Sequence, residues 1–140
     1  MTSYETIYNR ALNKIEDPQL AQLPEEDLEE TLHGYLLSAI AKHRKCEHDL
    51  SDRDEELKQF NSDLSDLEIE ILSILMLREY ISQRLHSVVN VLQVFSGKES
   101  KYYSQAAHIA ELRELDERLK LEAQQLSRDY TYTDNDYFND

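Results

Sequence analysis

Five histidines, one cysteine and 29 carboxylates are the residues of this chain most able to do chemistry. The histidines are His33, His43, His48, His86 and His108, and none forms the i, i+4 pair that places two metal ligands on one helix face. Cys46 lies between His43 and His48, beside Arg44 and Lys45. Nearby positive charge is what lowers a thiol's pKa toward a reactive thiolate. These residues sit at one helix end without a shared face or an oxyanion site, so they read as a structural cysteine and solvated or core histidines. The run Asp49, Asp52, Asp54, Glu56 has the near-alternation of a calcium loop. Such a loop wants glycine at its sharp turn and a closing bidentate glutamate. The only glycines are Gly34 and Gly97, so the run reads as a solvated acidic loop, and a glycine-rich phosphate cradle is excluded. No catalytic residue, cofactor or metal is expected.

The end of the chain is harder to read as inert. Residues 129–140 hold four aspartates and four aromatics, with no Leu, Ile, Val, Ala, Lys or Arg. Disordered tails usually avoid aromatics, whereas aromatics are common anchors at interfaces. Tyr130, Tyr132, Tyr137 and Phe138 are therefore the candidate partner-binding residues, with the acids steering them toward a basic groove.

The elements that must position these residues read as helices. In 140 residues there are 2 Gly and 2 Pro, too few for the many tight turns of a sandwich or barrel. Ser3 can cap a first helix over 4–16, with Ile7, Ala11, Leu12 and Ile15 on one face and Asp17-Pro18 as its stop. Pro24 opens a second helix, 24–47, with an acidic first turn and a stripe of Leu28, Leu32, Leu36, Ala39, Ile40 and His43. Gly34 in its middle suggests close helix–helix approach. Residues 48–65 read as an acidic loop strapped over the core by Leu50, Leu57, Phe60 and Leu64, with a short helical turn near 54–59. The Ser65–Glu68 capping box opens a third helix, 66–96, apolar on more than one face and ended by Gly97. After a polar link, Ser104 can cap a fourth helix over 105–128, with a leucine seam and ion pairs Glu114–Arg118 and Asp116–Lys120. The expected fold is all-α: an antiparallel bundle of about four helices with a long central third helix. Residues 1–128 form its single domain, and 129–140 form an extended C-terminal tail.

Charge narrows the function further. There are 15 basic and 29 acidic side chains, net −14, and residues 24–65 carry half of that excess. Such a surface repels phosphate backbones and anionic headgroups, which disfavours sequence-specific DNA binding and a membrane-surface role. No apolar run approaches the ~20 residues of a spanning helix, and the first residues lack the pattern of a signal peptide. A lone cysteine excludes an intrachain disulfide and fits a reducing cytoplasm.

Three stretches carry a resemblance: 66–72 (DLEIEIL), 102–108 (YYSQAAH) and 126–132 (LSRDYTY). Together they resemble small acidic head–tail connector, or adaptor, proteins from the structural-gene clusters of Gram-positive-infecting tailed bacteriophages. The resemblance covers residues 66–132, about half the chain, and is a pattern of helix faces, not a catalytic motif. It implies a mostly helical virion subunit of the neck, made in the host cytoplasm. That subunit would join eleven others in a ring between the portal protein and the adjoining neck or tail proteins. It also implies that the C-terminal segment reaches onto the portal, which carries over to Tyr130, Tyr132, Tyr137 and Phe138 as docking residues. An acidic ring would let DNA pass without sticking. The rival reading is a small acidic regulatory protein, a DNA mimic bound to a basic partner. A helical bundle with a carboxylate/histidine metal site is a weaker third.

Overall fold

The computed structural model describes residues 1–15, 22–43, 49–94 and 99–134, with side chains described over 1–15, 22–43, 49–87 and 106–129. The chain is mostly helical. In order, the elements are β1 (Thr2–Ser3), α1 (Tyr4–Leu12), α2 (Glu25–Lys42), β2 (Arg53–Asp54), β3 (Gln59–Phe60), α3 (Asp66–Val94) and α4 (Glu99–Asp134).

Helix starts follow local chemistry. Ser3 caps α1, its Oγ accepting from Glu5 N at 3.2 Å. At the head of α3 the capping box forms in both directions: Glu68 N donates to Ser65 Oγ at 3.2 Å, and Ser65 N donates to Glu68 Oε1 at 2.9 Å. Pro24 precedes α2, whose first turn holds Glu25, Glu26 and Asp27 where the helix dipole favours anions. That helix stops at His43, earlier than the expected residue 47, because His43 leaves helical geometry with ψ near 76°.

The core lies where α1, α2 and α4 each pack on α3. Ile7 and Ala11 from α1, Leu32, Leu36 and Ala39 from α2, and Leu119 and Ala123 from α4 are all buried. Along α3 every residue from Ile71 to Leu77 is buried, including Ser73, whose hydroxyl donates back to Glu70 O at 2.7 Å. A helix covered all round must be apolar all round, as the sequence of this stretch is. Further on, Leu85 is only half-buried. Arg10 of α1 and Lys14 just beyond its end reach Glu70 of α3, at 3.5 and 2.5 Å.

Several expectations need correction. The acidic segment is not an irregular strap. It folds as a hairpin of β2 and β3, and β1 joins it to make a three-stranded antiparallel sheet in the order β1-β3-β2. The pairing sets Thr2 and Arg53 on either side of Phe60, which is fully buried. The fold is therefore not purely helical. The acids that suggested a calcium loop instead build the turns. Asp49 Oδ1 accepts from Ser51 N and Oγ, and Asp54 Oδ1 accepts from Glu56 N and Leu57 N at 2.9 and 3.0 Å. These are the local side-chain-to-backbone bonds that make aspartate a turn former.

The last helix is longer than expected at both ends. It begins at Glu99, ahead of the proposed Ser104 cap, and continues to Asp134, so residues 129–134 are helical where an extended tail was expected. Propensity differences of a few tenths of a kcal/mol per residue are small beside the ease of propagating an established helix. Neither expected ion pair forms along it. Asp116 accepts from Arg78 of α3 at 3.0 Å instead, and Lys120 is left without a partner among the described residues. Gly34 is not a close approach: a Cβ there would meet nothing within 4 Å. The α3 helix runs without interruption through the Val88–Val91 stretch. Cys46, His48, the Asp17-Pro18 stop and the Gly97 cap lie outside the described residues.

Candidate functional site

The four aromatic residues singled out in the sequence divide. Tyr130 and Tyr132 stand on the last turns of α4, and Tyr137 and Phe138 lie outside the described residues. An extended segment would have put positions 130 and 132 on one face. On a helix, positions two apart are about 200° apart around the axis, so they do not share one.

Two further surfaces emerge from packing that the sequence pattern did not reveal. The first lies where the hairpin meets α1 and α2. Tyr4 is fully buried against Phe60, ring centroids 5.1 Å apart, and its hydroxyl donates to Glu55 Oε1 at 3.2 Å. Burial first, and then Glu55, push the Tyr4 phenol up to about 12. Glu55 also accepts from Arg53 Nε and from His33 Nε2, each at 2.7 Å. The Arg53 bond, ahead of the His33 and Tyr4 bonds, holds the Glu55 carboxyl below its ordinary range. This cluster fastens the hairpin to α1 and α2. Beside it an open pocket of about 270 Å³ is lined by Tyr8, Glu26, Glu29, Glu30, His33, Glu55 and Lys58. Lys58 pairs with Glu29 across its mouth.

The second surface is a groove of about 560 Å³ between the C-terminal end of α2, the face of α3 and the second half of α4. Its apolar part is Ile71, Leu75 and Ala123, and its cations are Lys42, Arg78, Lys120 and Arg128. Lys42 is paired with Glu79 and Arg78 with Asp116. Lys120 and Arg128 are exposed and have no partner among the described residues. The concentration of cations is unexpected on a chain of net charge −14. His43 also lines this groove. It is buried, as its place on the α2 stripe implied, and burial lowers its pKa, opposed by Glu68.

Among the described residues, no group of three or more His, Cys, Asp or Glu is placed to hold a metal ion, and no helix is long and apolar enough to cross a membrane. The acidic pocket and the basic groove offer charge complementarity, and the groove adds an apolar floor. A scan of protein-family models, a search of curated proteins and a search of solved structures each return no match for this chain.

Proposed function

We propose that the chain is a non-enzymatic structural subunit of a tailed-phage neck, an adaptor that bridges the portal and the next neck or tail component. The observation that carries this reading is the last helix. It has 36 residues, about 54 Å at 1.5 Å per residue. Over residues 106–129, where its side chains are described, it buries only the stripe of Ile109, Leu119 and Ala123, with Leu112, Leu115 and Leu126 partly covered, and Leu121 is 54% exposed. So much exposed helix surface, carrying both signs of charge, suits contacts with neighbouring subunits.

In this reading the helices form an antiparallel bundle around α3, and copies assemble into a ring, a dodecamer by the resemblance. The acidic wall of that ring lets DNA through without binding it. Tyr130, Tyr132, Tyr137 and Phe138 supply the anchors on the portal, and repetition around the ring multiplies weak individual contacts through effective concentration.

The test is a pull-down with portal-bearing heads that lack neck proteins. The full chain should be recovered with the heads. A variant with all four aromatics replaced by alanine should keep its thermal melting and be recovered at least ~10-fold less, the scale expected when buried aromatic anchors are removed. Equal recovery of the two proteins would remove the docking role from the C-terminal aromatics.

A further inference from the structure

Two surfaces at opposite ends of α2 carry unused bonding capacity of opposite sign. At the N-terminal end, Tyr8 is 5% exposed and its hydroxyl has no hydrogen-bond partner. Native proteins leave few buried polar side-chain atoms unpaired. A phenol oxygen is an acceptor as well as a donor. This one lies in the field of Glu29 and Glu55, two walls of the acidic pocket; burial first, and then Glu29, raise its pKa, so it remains protonated. Glu26 and Glu30, on the same pocket, are exposed and have no cation partner among the described residues. An acceptor oxygen under a ring of carboxylates is a seat for a cationic donor. Lys58, exposed and reaching Glu29 across the mouth, already occupies part of it.

At the other end, Lys120 and Arg128 are exposed on α4, one at each end of the groove's α4 wall, above the apolar floor of Leu75 and Ala123. Glu26 and Lys42 are sixteen residues apart on α2, about 24 Å. The groove and the pocket of one copy therefore lie too far apart for the groove's cations to reach the pocket of the same copy.

We propose that Arg128 and Lys120 of one copy dock into the Tyr8 pocket of a second copy, making a head-to-tail contact. The proposal rests on the ring-forming reading above and names the surfaces that join the ring. A second copy is the occupant because each chain carries both halves, and a contact between two different surfaces of one chain closes into a ring when its rotation divides a full turn. The guanidinium of Arg128 has donors for the carboxylates of Glu26 and Glu30, with a planar fork suited to them, and for Tyr8 Oη, which is closed to solvent in the free chain and is reached only as the side chains lining the pocket part. Lys120 then faces the remaining acids, and the Lys58 ammonium swings out into solvent.

Sedimentation velocity over a concentration series at low and moderate salt tests this, using the full chain and two charge-reversed variants. One carries Lys120→Glu and Arg128→Glu, the other Glu26→Lys and Glu30→Lys. Wild type should associate in a salt-sensitive way. Each variant alone should need ~10-fold or more protein to reach the same association, and an equimolar mixture of the two should recover heterotypic pairs. Tyr8→Phe should weaken association while its melting temperature stays level or rises, a combination that a merely structural tyrosine would not give. Association unchanged in every variant would overturn the contact while leaving the ring reading intact. Wild type that stays monomeric throughout would overturn the contact as well. The adaptor reading would then stand or fall separately on binding to portal-bearing heads.

Discussion

His43 shows how one residue couples packing to solution behaviour. Its imidazole is buried where α2 ends, and burial lowers its pKa from the ordinary 6.5, with Glu68 pulling the other way. In the unfolded chain the same ring titrates near its ordinary value. Between the two values the unfolded state binds the extra proton, so stability rises with pH there. Stability should therefore fall as pH is lowered through 6.5, and His43→Gln should flatten that part of the profile. Urea titrations of both proteins at pH 5, 6 and 7 measure this; an equal slope in the variant would assign the acid sensitivity elsewhere. The burial of His43 was legible from its place after Leu36, Ala39 and Ile40. The buried, unpartnered hydroxyl of Tyr8 was not, because an unsatisfied atom is a property of the surrounding packing and leaves no local pattern. Asp116 teaches the same point. Spacing alone offered it Lys120, and tertiary packing gave it Arg78.

Elements were legible in proportion to how local their causes are. The Ser3 cap, the Ser65–Glu68 box and the stripe through Leu32, Leu36 and Ala39 each depend on neighbours within a turn or two, and each forms as its pattern implies. The sheet does not have local causes. Its strands are two residues long, too short to show alternation, and β1 pairs with β3 across more than fifty residues of chain. The span of α4 exceeds its sequence signal for another reason: polar and aromatic residues at its ends are poor helix starters but tolerable continuers. Gly34 yields a direct prediction at this scale. It sits inside α2 with open space where a Cβ would go. Gly34→Ala should stabilise the protein by about 1 kcal/mol, the helix-propensity difference, read as an upward shift of the urea midpoint with an unchanged slope. A loss of stability would mean that the position is crowded.

For the whole molecule, the net charge of −14 sets the terms of the proposed assembly. Like-charged copies repel at long range, so a ring of them must bring basic surface against acidic surface. The chain has both: an acidic pocket at the head of α2, and the cations of α4 at its far end. This polarity was only partly visible beforehand. The sequence placed half of the acidic excess in residues 24–65 and balanced acids with bases over residues 96–128, but which cations were already paired depended on the fold. The measurement that bears most directly on the adaptor reading is the number of copies bound to purified portal-bearing heads lacking neck proteins, counted by quantitative mass spectrometry against the portal. Uptake should be saturable at a fixed ratio of one copy per portal subunit and be retained at moderate salt. No uptake by the heads, together with salt-sensitive binding of one or two copies to a basic DNA-binding protein, would contradict it and identify the chain as an acidic mimic.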